Sequence, residues 1–282
     1  MSKFKNMVSA DWLSAHIDAP EVKPVDGSWY LPQQKRDPLA EFQALHIPGA
    51  VFFDLDAISD TSSDLPHMMP DDKTFAGSMS KLGISNKHHV VVYDGIGLMS
   101  AARIWWMFKV FGHQQVSILN GGLPAWKANG GKVTAETTQI EPTVYQACLD
   151  GTRVASWKDV STSVSDTNSQ ILDARSADRF AGQAPEPRAG LKGGHIKGSF
   201  NLPFQKLLGK DGKLNSVEDL RSVFENSGIS LTKPVTTSCG SGVTAAILTL
   251  GLDELGHTDN QVYDGSWAEW GALSETKHLI ET

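Results

Sequence analysis

The chain reads as an α/β protein built from two tandem copies of one unit, each a mainly parallel sheet flanked by helices. Three observations predict this. Short β-branched runs alternate with helix-like segments, as at 90–93, 100–111 and 115–119, and such alternation implies crossover connections and parallel pairing. Landmark residues return after roughly 145–149 positions. Finally, a run ending Pro234-Val235-Thr236-Thr237 leads into a cysteine, two nearby glycines and an apolar stretch over 243–252. That order suits a strand, a tight loop and a helix start.

Read in order, the copies align throughout. Val8-Ser9-Ala10-Asp11-Trp12 matches Val154-Ala155-Ser156-Trp157 with one residue of slip. His46-Ile47-Pro48-Gly49-Ala50 matches His195-Ile196-Lys197-Gly198-Ser199, and Phe53-Asp54-Leu55 sits where Asn201-Leu202-Pro203 sits. Leu82-Gly83-Ile84-Ser85 corresponds to Ser227-Gly228-Ile229-Ser230. The apolar run at 90–93 predicts a buried strand facing the one that precedes Cys239. The stretch 100–111 predicts a helix closed by Gly112, and 115–119 predicts the next strand. Asn120-Gly121-Gly122 with Trp126 matches Tyr263-Asp264-Gly265 with Trp270. The boundaries are therefore 1–134 for the first domain, 135–152 for a polar linker containing Pro142, and 153–282 for the second.

Composition narrows the function. The 282 residues are 40% apolar and 20% charged, enough for two ordinary cores. A net charge of -7 supplies no attraction to nucleic acid or to an anionic membrane surface. The two cysteines, Cys148 and Cys239, make no disulfide framework, so a reducing compartment, the cytoplasm, is expected. Lys3 and Lys5 are not followed by an apolar stretch, so no secretory signal is expected. No apolar run nears the ~20 residues of a membrane span.

Chemistry in parallel sheets collects at the carboxyl ends of the strands, where Cys239 falls. A glycine loop opening a helix presents backbone N–H groups, and these favour an anion. The expectation is a reactive thiolate ringed by amides, a nucleophile rather than a core cysteine. The first copy has Asp94-Gly95-Ile96-Gly97-Leu98-Met99-Ser100 at this loop, so it has no sulfur nucleophile and is expected to wall the site. Cys148, in the linker, reads as incidental. His46 and His195 hold matching places in both copies and read as structural, as do Trp12, Trp126, Trp157 and Trp270. No Cys-x-x-Cys or His-x-x-x-His spacing supports a metal, and Gly95 with Gly97 make only half of a dinucleotide fingerprint; no cofactor is expected.

The tandem copies, the His-Ile-x-Gly signature in each and the cysteine loop in only the second resemble the rhodanese-like sulfurtransferases. The loop discriminates further. Members of that family that use thiosulfate carry basic residues after the cysteine, whereas Gly240-Ser241-Gly242-Val243-Thr244 resembles those that use 3-mercaptopyruvate. Phe52-Phe53-Asp54-Leu55-Asp56, His67-Met68-Met69-Pro70 and Trp105-Trp106-Met107-Phe108 are similar to that branch as well. The resemblance implies a persulfide-forming Cys239, substrate arginines at Arg179 and Arg188, and a Ser-His-Asp set at Ser241, His67 and Asp56. Gly240, Gly242, Val243 and Thr244 would complete the binding loop.

Blander readings stand beside these. Arg179 lies near Asp173 and Asp178 and also suits a structural ion pair. Arg188, between prolines and glycine, suits a solvated arginine, His67 a surface histidine, and Ser241 a turn. A cysteine phosphatase requires Cys-x5-Arg, and Ala245 stands at the arginine position. Thiosulfate sulfurtransferase and a non-catalytic persulfide carrier are the remaining alternatives. The acceptor is expected to be thioredoxin, a small thiol or cyanide, and the chain a monomer.

Overall fold

A computed structural model describes residues 5–282; Lys3, noted above, lies outside them. The chain divides into two compact units. The first takes the chain through Thr61, with Met69–Asp150 and Gly209–Leu214; the second takes Ser62–Met68, Gly151–Leu208 and Asn215–Thr282. The exchange of two short segments runs against a simple division into halves, and it brings His67 into the second unit.

The first unit runs β1 (Met7–Val8), α1 (Ala10–His16), β2 (Val22–Asp26), α2 (Pro38–Ala44), β3 (Val51–Phe52), α3 (Leu55–Ile58), α4 (Asp72–Lys81), β4 (His89–Tyr93), α5 (Ala101–Val110), β5 (Val116–Leu119) and α6 (Gly122–Ala128). The second runs β6 (Val154–Ala155), α7 (Trp157–Ser163), β7 (Gln170–Asp173), α8 (Ala177–Phe180), β8 (His195–Ile196), β9 (Phe200–Asn201), α9 (Val217–Asn226), β10 (Val235–Ser238), α10 (Ala245–Glu254), β11 (Asn260–Tyr263), α11 (Ser266–Trp270) and β12 (Ile280–Glu281).

Each unit holds a five-stranded sheet, ordered β1-β5-β4-β2-β3 in the first and β6-β11-β10-β7-β9 in the second. Every pairing in the two sheets is parallel. β4 and β10 occupy the same interior place, and every residue of both is buried. A strand covered on both faces needs no polar alternation, which is why His89-Val90-Val91-Val92-Tyr93 is a continuous run. α5 and α10 are likewise buried nearly all round, so neither shows a polar stripe. Arg103 of α5 is accommodated over the Trp106 ring at 4.6 Å. α10 starts two residues later than the apolar run suggests, because Val243 and Thr244 belong to the loop that leads into it. Among the described residues, no helix is long and apolar enough to cross a membrane.

The matching landmarks do matching work. Trp126 and Trp270 are buried, and Trp12 and Trp157 pack against the same two cores. His46 Nδ1 faces the Phe42 carbonyl at 2.7 Å and His195 Nδ1 faces that of Phe180 at 2.9 Å. Each imidazole stacks on that same phenylalanine, with centroids 4.3 and 3.8 Å apart. A ring nitrogen against a carbonyl must carry the proton, so both histidines are donors that fasten a helix end. Residues 137–150 form neither helix nor strand, yet they strap onto the first unit. Thr138 and Thr143 donate to the carbonyls of Ala50 and Ile84, the Asp150 amide donates to Val110, and buried Tyr145 enters a cluster with Phe75, Phe108 and His113. Cys148 is exposed on this strap.

Candidate active site

The site is assembled within the second unit. Cys239 immediately follows β10 and is 2% exposed. Its loop is tied to the start of α11: the amides of Trp267 and Ala268 donate to the carbonyls of Cys239 and Gly240. Ser266 Oγ accepts from the amides of Cys239 and Gly242 at 3.2 and 3.1 Å while donating to the Tyr263 carbonyl. To do so Ser266 holds a φ of 49°, a left-handed conformation that side chains disfavour. α6 of the first unit opens on Gly122 with φ 54°, as α11 opens on Ser266, one position beyond the pairing with Gly265 that the sequence suggested; a Cβ on Gly122 would come within 2.4 Å of the Asp94 carbonyl oxygen. The second unit accepts the strain of a serine there because its hydroxyl gathers two loop amides.

The first unit shows what this kind of loop does. Asp94, at the position matching Cys239, turns its carboxylate onto its own loop: Oδ1 accepts from Ile96 and Gly97 and Oδ2 from Met99 and Ala101, at 2.7–3.1 Å. Four amides thus converge on an internal anion. The second unit has no such carboxylate, and Cys239 stands in its place. Among the described residues no hydrogen bond ends on the Cys239 sulfur, and the Cys239 and Gly242 amides are taken by Ser266, so the ring of amides expected around the sulfur is not formed on the sulfur itself.

Two guanidinium groups reach this loop. Arg179, on α8, donates through Nε and Nη2 to the two oxygens of Glu186 at 3.2 and 2.5 Å. Its Nη2 lies 3.1 Å from where a Cβ on Gly240 would stand, so glycine is what permits that approach. The helix carrying Arg179 is the one His195 fastens through Phe180. Glu186 is itself clamped by Arg175, whose Nη1 donates to it at 2.8 Å. Arg175 is held by both oxygens of Asp173, by the Gly194 carbonyl and over the Trp267 ring at 4.1 Å. Burial works against the charge of Arg175, but Asp173 and Glu186 hold it above the ordinary arginine value. The chain Asp173–Arg175–Glu186–Arg179 therefore aims one guanidinium from a buried base. The ion pair read for Arg179 is real, but its partner is Glu186 rather than Asp173 or Asp178.

Arg188 Nη2 lies 3.4 Å from Ser241 Oγ. His67, 5% exposed and with φ 61°, places Nδ1 3.2 Å from Ser241 Oγ and 3.3 Å from the Ser241 carbonyl. The carbonyl can only accept, so Nδ1 carries the proton. Ser241 Oγ thus receives from His67 and Arg188 and has its own O–H to offer. Asp56 lies on α3 of the first unit, where its Oδ2 accepts from the Trp29 indole at 3.2 Å. Val243 is buried and Thr244 partly so, at the entry to α10. Cys239, Arg179, Arg188, Ser241 and His67 are brought together; Ser266, Glu186 and Arg175 join them without having been singled out. For Glu186 the only signal was an acid between prolines, two residues before Arg188.

Comparison with known proteins agrees with this geometry. The rhodanese-like domain family matches residues 9–129 and 156–273. The thiosulfate/3-mercaptopyruvate sulfurtransferase 1, mitochondrial, of Arabidopsis thaliana is 45% identical over 291 residues, covering 96% of this chain and 77% of that protein. The 3-mercaptopyruvate sulfurtransferase of Escherichia coli K12 is 42% identical over 269 residues, covering 95% of each. The crystal structure of SseA from Escherichia coli, described as a 3-mercaptopyruvate sulfotransferase with the rhodanese fold, superposes with a TM-score of 0.86 at 39% identity, over 94% of this chain and 100% of that one. The chain belongs to the rhodanese-like family, with two such domains in tandem.

Proposed function

We propose that this protein is a 3-mercaptopyruvate sulfurtransferase in which Cys239 carries the sulfur as a persulfide. One observation bears most of the weight. A single buried sulfur stands at the carboxyl end of β10, Arg179 reaches the next residue, Gly240, and Arg188 reaches Ser241, while the loop between 240 and 244 has no charge of its own. Such a site grips an anion from its arms rather than from the loop. Planar guanidinium groups suit the carboxylate and adjacent carbonyl of a 2-oxo acid.

The Cys239 thiolate attacks the substrate sulfur. A sulfur–sulfur bond forms as the carbon–sulfur bond breaks, and the released electron pair moves into the carbonyl as the enolate of pyruvate. A proton taken up at the enolate carbon completes pyruvate. Charge grows on the carbonyl oxygen during cleavage, and one fixed donor there contributes about 3–4 kcal/mol by analogy with a single oxyanion-hole donor. Ser241, receiving from His67 and Arg188, supplies an O–H donor to the bound substrate. The loop amides then receive the outer sulfur, as the first unit's amides receive the Asp94 carboxylate. A thiol acceptor, thioredoxin or a small thiol, or else cyanide, removes that sulfur and regenerates the thiolate. Two cysteines that form no disulfide support a reducing compartment, which we take to be the cytoplasm, and a monomer suffices for the chemistry.

Steady-state turnover with 3-mercaptopyruvate and with thiosulfate tests the donor. A higher kcat/KM for 3-mercaptopyruvate is expected, and an equal or higher value for thiosulfate overturns the assignment. Mass spectrometry after donor treatment should add one sulfur atom to the Cys239 peptide, and Cys239→Ser should abolish both the adduct and turnover.

A further inference from the structure

The first unit has a cavity beside Ser28, the residue that matches Arg175 of the second unit. β2 and β7 hold the same place in their sheets, and each ends on an aspartate that accepts from the amide two residues later: Asp26 from Ser28 at 2.9 Å and Asp173 from Arg175 at 2.8 Å. In the second unit the guanidinium of that later residue neutralises the acid. In the first unit the later residue is serine, whose Oγ instead accepts from the Gly95 amide. Asp26 is 2% exposed and makes no ion pair among the described residues. Burial pushes its carboxyl above the ordinary range, with hydrogen bonds from Ser28 and Tyr93 only partly opposing this.

The cavity measures about 480 Å³ and is lined by Asp26, Arg36, Glu41 and Lys127, with Phe42, Leu45 and Leu123 as apolar walls. Two of its charges answer each other: Arg36 donates to Glu41 through Nε and Nη2 at 2.8 and 2.5 Å. Two do not. They are the buried acid Asp26 and the exposed ammonium of Lys127, which makes no ion pair among the described residues. Burial disfavours the ionised form of Asp26, and a cation beside it would restore that form, so the site favours a ligand that brings one. Two acids and two bases leave the lining neutral overall, which suits a ligand of no net charge.

We propose that this cavity binds a small zwitterion, an α-amino acid with a short apolar side chain, its ammonium on Asp26 and its carboxylate on Lys127. The site is independent of Cys239, because all its residues belong to the first unit. The test is calorimetric titration of the full chain with L-alanine, and with propionate and ethylamine as half-ligands. Saturable binding near a millimolar Kd is expected for L-alanine, with each half-ligand at least about tenfold weaker. Asp26→Asn should weaken L-alanine at least about tenfold, and Lys127→Ala several-fold. Arg179→Ala should leave binding unchanged. Failure of L-alanine to saturate by about 50 mM overturns the proposal, as does propionate binding equally well, or loss of binding in Arg179→Ala instead of Lys127→Ala. Should Asp26→Asn not fold, the surface variant Lys127→Ala and the half-ligands decide alone.

Discussion

Glu186→Gln isolates the device that aims Arg179. The side chain of Glu186 is 2% exposed and accepts from two guanidinium groups at once. Glutamine keeps the shape but removes the charge, and its amide turns donors toward a donor. Removing one partner of a buried ion pair costs about 3–5 kcal/mol. Arg175 retains both oxygens of Asp173 and the Gly194 carbonyl, and Arg179 is 23% exposed, so the cost should sit lower, near 2 kcal/mol. That lowers Tm by about 4–8 °C. In catalysis, an Arg179 free to leave the Gly240 edge forfeits a charge-assisted contact of about 2 kcal/mol, or roughly thirtyfold in kcat/KM. The assay is steady-state turnover of 3-mercaptopyruvate by wild type, Glu186→Gln, Arg179→Ala and the double variant. If Glu186 acts through Arg179, Glu186→Gln changes nothing once Arg179 is alanine. A folded Glu186→Gln enzyme within twofold of wild type, or a second full loss in the double variant, refutes the reasoning.

Ser266→Ala should remove the hydroxyl that holds the Cys239 and Gly242 amides while keeping the strained φ. Ser266→Gly removes the hydroxyl and the strain together, and should unfold at higher denaturant than Ser266→Ala by about 1 kcal/mol, with both alkylating Cys239 at rates different from wild type. His113 is buried and its imidazole is pushed down by desolvation from 6.5 to about 4. The unfolded chain therefore takes up this proton before the folded one does, so stability is full above pH 6.5 and falls between pH 6.5 and 4, by about 3 kcal/mol in all. His88 and His89, also lowered by burial, act in the same direction, and His113→Gln should flatten the slope of unfolding free energy over that range. Gly240→Arg combined with Ser241→Lys should shift the ratio of thiosulfate to 3-mercaptopyruvate activity toward thiosulfate; an unmoved ratio means that loop charge does not select the donor.

Much of the architecture was legible because it is local or repeated. Continuous apolar runs such as 90–93 mark strands buried on both faces, Gly112 with φ 80° closes α5 as its position suggested, and the recurring histidines and tryptophans betrayed two equivalent units. Cys239 stood out because a cysteine between a strand and a glycine loop is a local pattern. The arginines were found through the resemblance; the ion pair read as an alternative for Arg179 exists, with Glu186 as its partner.

What the chain alone determined was its periodicity, the candidate nucleophile Cys239 and the chemistry its side chains can perform, since these reside in residue types at short range. Tertiary structure decided which distant groups meet. His67 reaches Ser241 across 174 positions because residues 62–68 join the second unit. Ser266 bends into a glycine conformation to collect two amides, and Glu186 comes to lie between Arg175 and Arg179. The contact of His67 with Ser241 leaves no local trace, because folding brings the two together by closing a long loop and neither partner's neighbours record the other; Glu186, only 7 and 11 residues from its arginines, meets them through the irregular path of the intervening chain, which has no periodicity to read.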